Sequence, residues 1–81
     1  MRVTIRLFAG LREAVGSGEL SREVAPGSTV ATVWDQLTAE FPGLVRYTRS
    51  ISSAVNRDYV KKTAMVGEGD EVAFLPPVSG G

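Results

Sequence analysis

Among the 81 residues there is neither a histidine nor a cysteine. The commonest general base is therefore missing, and so are thiolate nucleophiles, disulfides and most zinc sites. The Asp, Glu, Ser and Lys side chains that remain fall into no motif that gives them catalytic roles. The one stretch suited to chemistry is the ending "FLPPVSGG", and there the reactive atom is on the backbone. Gly80 lacks a Cβ and can pass through a narrow channel, while the acyl carbon of Gly81 has minimal steric cover. A carboxylate at Gly81 is a poor acyl donor until it is activated, for example as an acyl-adenylate. A sulfur or nitrogen nucleophile can then take the acyl group. The segment "AGLREAVGSG" has glycines but no GK[ST] of a phosphate-cradling loop, so the activating machinery is expected on a partner. Val78, Ser79, Gly80 and Gly81 are expected to form a flexible tail beyond a domain spanning residues 1–77. With Pro77 they reach at most ~13–18 Å.

Something must hold that tail, and the hydropathy pattern indicates what. "RVTIRLF" alternates, with Val3, Ile5 and Leu7 on one face and Thr4, Arg6 and Phe8 on the other, which predicts a strand with one buried face. A single helical turn is expected around residues 11–15, closed by Gly16-Ser17-Gly18. "ELSREV" alternates again, and the short connection makes this second strand antiparallel to the first. The period then changes to 3.6. Ser28 or Thr29 can cap a helix starting at Val30, and Val30, Val33, Trp34, Leu37 and Phe41 form one stripe. Trp34 is therefore expected in the core, and Pro42-Gly43 should end the helix. Residues 44–50 read as loop, with room for a turn of helix.

Two short strands are expected around a turn at Asn56-Arg57-Asp58, then a turn over residues 67–70 and a last strand. In that strand Val72 and Phe74 share one face, Ala73 and Leu75 the other. Pro76-Pro77 cannot donate ladder hydrogen bonds and must end the pairing. One helix on one face of a five-stranded mixed sheet, in the order β-β-α-β-β-β, is the α+β, ubiquitin-like β-grasp arrangement. Its first and last strands should be parallel neighbours, although the pattern also suits other small α+β folds.

Nine basic and nine acidic residues cancel, so no overall field would hold nucleic acid or an anionic membrane. The charges are uneven along the chain. Arg46, Arg49, Arg57, Lys61 and Lys62 face Asp58 alone, and Glu68, Asp70 and Glu71 follow; solvated loops and strand faces are the plain reading. No signal-peptide core or run of ~18 apolar residues occurs, which points to a soluble, cytoplasmic protein.

The segments "LFAGLRE", "STVATVWDQL", "AVNRDYV" and "GDEVAFLPPVSGG" together closely resemble the small, sulfur-carrying subunit of molybdopterin synthase. They recur in family order and span nearly the whole chain. The ending is the most specific, since the related sulfur carrier of thiazole synthesis lacks the Pro-Pro run. The resemblance implies that the chain is a sulfur-donor subunit and no enzyme on its own, binding no cofactor. An ATP-dependent, E1-like adenylyltransferase would adenylate Gly81, and a sulfur donor would convert the adenylate to a thiocarboxylate. The charged tail would enter the large synthase subunit and pass sulfur to a cyclic pyranopterin precursor, within a heterotetramer of two small and two large subunits.

Strand parity adds a docking surface. Phe8, Ala73 and Leu75 should lie on the sheet face away from the helix, bordered by Tyr59, and an apolar group there suggests a partner interface. The alternative is scattered surface hydrophobics, which are common. Arg12 has two equal readings, a charged contact at the same rim or a solvated arginine. Other readings of the chain are a ubiquitin-like modifier joined to lysines, a sulfur carrier for thiazole synthesis or tRNA thiolation, and a plain interaction domain.

Overall fold

A computed structural model describes residues 1–77; the expected tail, residues 78–81, lies outside the described residues. The alternation of the first residues becomes strand β1, Arg2–Leu7, with Val3, Ile5 and Leu7 buried. The other strands are β2 (Glu19–Glu23), β3 (Ser52–Val55), β4 (Asp58–Val60) and β5 (Glu71–Leu75). They form one mixed sheet in the order β2-β1-β5-β3-β4. β1 and β5 are parallel neighbours, Leu7 opposite Phe74, and the other three pairings are antiparallel. β5 therefore lies between β1 and β3, and pairing ends at Leu75, just before the two prolines.

Helix α2, Val30–Glu40, covers one face of the sheet through Val30, Val33, Trp34 and Leu37, all buried. Trp34 is a core residue: its ring centroid lies 4.9 Å from that of Phe74 at an interplanar angle of 57°. A buried indole N–H needs an acceptor, and it donates to Thr48 Oγ1 at 3.0 Å. Thr29, not Ser28, is the cap, its hydroxyl accepting from Thr32 N at 3.3 Å. Ser28 is buried and donates to the Ala25 carbonyl instead. The β4–β5 connection supplies acceptors for two more α2 amides, Val30 N to Ala64 O and Ala31 N to Lys62 O, each 2.9 Å. Along the far margin, Arg22 Nε donates to Glu40 Oε1 at 2.8 Å and clamps β2 to α2. That hydrogen bond, helped by the attraction of the charges, holds the Glu40 carboxyl below its usual range.

Two segments differ from the sequence-based expectation. The single helical turn at residues 11–15 is a two-turn helix, α1, Ala9–Val15. It starts two residues early because Ala9 takes a left-handed φ of 48° and turns the chain sharply out of β1. Residues 44–50, read as loop with room for a turn of helix, hold that turn as the end of a 3-10 helix, Pro42–Tyr47, that starts earlier than expected. Pro42 ends α2 but also opens this helix, where its fixed φ suits a first turn and its missing N–H costs nothing. Leu44 is fully buried there, and Tyr47 packs on the core from the same segment.

The Asn56-Arg57 turn has φ of 50° and 73°, as a two-residue hairpin of the twist-matched kind requires. Asn56 is also a cross-link. Its side chain donates to Asp70 Oδ1 and accepts from Glu71 N, both at 3.0 Å, while Asp70 Oδ2 accepts from Gly67 N at 2.7 Å. Asp70 is thus a turn residue that ties the β3–β4 hairpin to the start of β5.

Ser53, on the core side of β3, is the exception to good polar pairing among the described residues: its buried hydroxyl has no hydrogen-bond partner there. An unmet buried hydroxyl costs on the order of 1–3 kcal/mol, and alanine keeps nearly the same shape. Ser53→Ala is therefore expected to raise unfolding free energy by about 1 kcal/mol, read as a higher urea midpoint at unchanged m-value.

Candidate functional site

The helices leave the other face of the sheet open, and the register fixes what that face presents. Reading across the strands gives the row Glu19, Arg6, Ala73, Ala54 and Tyr59. One pair further along the parallel ladder, past Leu7 and Phe74, come Phe8 and Leu75, with Ser52 opposite Leu75 on β3. In the other direction lie Ser21, Thr4 and Glu71. The four apolar residues expected on one surface, Phe8, Ala73, Leu75 and Tyr59, are thus brought together by strand pairing alone. Ala54 joins them; sequence parity could not reveal it, because only the register with Ala73 and Tyr59 turns it to this side.

Exposure separates the anchors from the floor. Ala54 is buried, Ala73 and Leu75 are half-buried, while Phe8 is 40% and Tyr59 74% exposed. A tyrosine exposed to that degree contributes little to the core and leaves its ring free for contact. Phe8 remains on this face because its backbone is still extended, φ −128° and ψ 154°, before the bend at Ala9. Arg6 caps the patch: its Cζ lies 5.9 Å from the Phe8 ring centroid, and Nη1 is 3.8 Å from both Glu19 Oε1 and Glu71 Oε2. At 3.8 Å these are loose, solvated pairs that give little stability and leave the guanidinium free to shift.

Arg12 is set apart from the other four. It is exposed on α1, and its stem runs past Gly18 at the β2 margin, Cδ 3.3 Å from where a Cβ would sit. It makes no ion pair among the described residues. Val78, Ser79, Gly80 and Gly81 lie outside the described residues, so what can be placed is the point from which they leave. Pro76 and Pro77 follow Leu75 at the end of the ladder, between the Phe8 end of β1 and the Ser52 end of β3. Of the segment "FLPPVSGG", Phe74 is thus in the core and Leu75 on the apolar open face.

No group of three or more potential metal-ligating side chains occurs among the described residues, and no described helix is long and apolar enough to cross a membrane. A single long helix over one face of a mixed sheet with parallel first and last strands defines a ubiquitin-like β-grasp protein. The crystal structure of small archaeal modifier protein 1 from Haloferax volcanii shares this fold, with a TM-score of 0.89 at 30% identity and 100% of both chains covered. The ThiS family model matches residues 5–81. The chain is 35% identical to the molybdopterin synthase sulfur carrier subunit of Arabidopsis thaliana, over 100% of this chain and 84% of that protein. It is 34% identical to the Mycobacterium tuberculosis protein of the same name, over 100% and 99%. It belongs to the ThiS family, among the molybdopterin synthase sulfur carrier subunits.

The exposure of Phe8 and Tyr59 means that the fold does not depend on them. Phe8→Asp and Tyr59→Asp are each expected to change unfolding free energy by less than about 1 kcal/mol. Phe74→Ala, which removes the ring packed on Trp34, should cost about 3–5 kcal/mol in the same denaturation measurement.

Proposed function

We propose that this chain is the sulfur carrier subunit of a molybdopterin synthase, with its sulfur held as a thiocarboxylate at Gly81. The observation that carries the reading is its full-length identity to proteins bearing that name, at 34% over nearly the whole of both chains in the bacterial relative. The site supports it. The described residues offer an open apolar face, and Pro76-Pro77 leave the sheet beside it.

The chemistry follows from what a carboxylate needs. A Gly81 oxygen attacks the α-phosphorus of ATP on an activating enzyme, pyrophosphate leaves, and an acyl-adenylate forms. A sulfur nucleophile then adds to the acyl carbon and AMP departs with the C–O electron pair, leaving C–S in place of C–O. On the large subunit the carbon–sulfur bond breaks after sulfur has bonded to the pyranopterin precursor, and water restores the carboxylate. The chain supplies reach, clearance and docking, while side-chain acid–base work falls to its partners. Phe8, Tyr59, Ala54, Ala73 and Leu75 form the surface that meets the large subunit, with Phe8 and Tyr59 as aromatic anchors.

Two measurements test this. Incubation with the activating enzyme, ATP and a sulfur donor should shift the intact mass by one oxygen-to-sulfur exchange, and deletion of Gly81 should abolish the shift. A ladder of covalent protein adducts instead would replace the reading with that of a lysine modifier. Separately, Leu75→Asp or Phe8→Asp should weaken large-subunit binding by about tenfold or more while circular dichroism stays native. Unchanged affinity in that titration would remove the open face from the interface.

A further inference from the structure

At the end of the sheet where β1 and β5 finish, two short helices meet. α1 begins directly after Phe8, and the 3-10 helix at Pro42–Tyr47 lies against it. Between them is an open cleft of about 400 Å³, lined by Gly10, Glu13, Ala14, Gly43, Arg46 and Tyr47. Small residues keep it open. A Cβ at Gly10 would stand 2.7 Å from Tyr47 Oη, and one at Gly43 would lie 4.0 Å from Ala14 Cβ. Without those side chains, a visiting chain can come close to the backbone of either wall.

The cleft carries charge of both signs. Arg46 stacks on Tyr47, its Cζ 5.0 Å from the ring centroid, and Nη2 donates to Tyr47 Oη at 3.2 Å. The ring thus steadies the guanidinium while most of its N–H groups stay open to a ligand. Glu13 is exposed on the α1 wall, and neither it nor Arg46 makes an ion pair among the described residues. Beyond Tyr47 the 3-10 bonding continues, with Thr48 N donating to Val45 O at 3.1 Å and Ser50 N to Tyr47 O at 2.9 Å. Residues three apart are eclipsed in that geometry, so Gly43, Arg46 and Arg49 form one stripe. Arg49 is exposed and likewise without an ion pair among the described residues. It stands about 6 Å beyond Arg46 along the helix axis, the rise of three 3-10 residues.

We propose that this cleft is a docking site for an extended acidic peptide segment of a protein partner. Side chains two apart in an extended chain share a side at a spacing of about 6.6 Å, which matches the step from Arg46 to Arg49. A Glu or Asp at each position gives one carboxylate to each guanidinium, whose planar fork suits two-point contact. Glu13 can then accept from backbone N–H groups, which a peptide carries and a phosphate lacks. A doubly charged phosphate would meet Glu13 as a like charge, so the mixed walls favour a peptide over a phosphate or nucleotide. A chain of zero net charge has no overall field to hold nucleic acid here. Gly10 is two residues from Phe8, which lies beside Leu75 at the end of β5. A partner held in the cleft is therefore next to the point where the chain leaves the sheet. None of the lining residues belongs to the apolar row of the open face, so this site stands whether or not that face binds the large subunit.

The test is an NMR titration of the isotope-labelled full chain with a hexaglutamate peptide at about 0.05 M salt. Amide shifts should concentrate at Gly10, Gly43, Arg46, Tyr47 and Arg49, the Arg46 Nε–H should move with them, and Kd should be about 1 mM or tighter. A hexaglutamine peptide should move none of them. Arg46→Glu should weaken hexaglutamate binding about tenfold or more, and Arg46→Gln should give a smaller loss of the same sign, guarding against misfolding of the reversal. Arg57→Glu makes the same change of net charge in the β3–β4 turn, outside the cleft, and should leave Kd within about twofold. An unchanged Kd in Arg46→Glu overturns the proposal, and so do shifts that are absent or centred elsewhere. An equal loss in Arg57→Glu also overturns it, because net charge alone is then being read. Equal shifts at the same residues from inorganic phosphate, or from an oligothymidylate, replace the acidic peptide with a phosphate ligand or a nucleic acid.

Discussion

The parallel pairing of β1 with β5 is the contact from which the rest of the molecule follows. It joins residues some seventy positions apart, at Thr4 opposite Glu71 through Leu7 opposite Phe74. Parallel neighbours cannot be linked by a tight turn, so everything between them becomes the crossover, and α2 is its packed part. Once Phe74 sits beside Leu7, Trp34 has a ring to pack on. The α2 amides meet the returning β4–β5 connection, and Leu75 comes alongside Phe8. The same pairing assembles the core on one side and the docking patch on the other.

That arrangement also limits what a protein of this size can hold in its interior. A small domain buries a modest fraction of its surface and has little stability to spare for strained or desolvated charges. Here the interior is almost wholly apolar, Ser28 and Ser53 being the polar residues buried among the described ones.

Much of this was legible in the sequence. The switch from alternation to a 3.6-residue stripe at Val30 located α2, and the parity of Val72 and Phe74 against Ala73 and Leu75 assigned both faces of β5 correctly. Parity in β1 puts Phe8 on the open side as well, whereas Tyr59 is expected only as a border to the group and the register with Ala54 sets it in the row. What was not legible depends on register or on weak local signals. The 3-10 helix at Pro42–Tyr47 follows a proline that reads only as a stop, and its short repeat leaves no periodic trace. The cross-link from Asn56 to Asp70 spans fourteen residues and belongs to no helical or strand spacing. The rows of charge across the sheet appear only once each strand is slid into place against its neighbour. Arg12 is set by α1 beside Gly18, just ahead of β2, a neighbour that sequence spacing does not show.

The central position of β5 has a mechanical consequence. Pro77 is continuous with the central strand of the five, which has a hydrogen-bonded ladder on each side, parallel to β1 and antiparallel to β3. A pull on the chain end runs along the strand axis and loads both ladders in shear, so several bonds must fail together where an edge strand would peel away one bond at a time. Phe74, wedged beneath Trp34, adds a packed anchor to the same strand. A load applied at Pro77 is therefore shared by the middle of the sheet, and the body behind it stays intact.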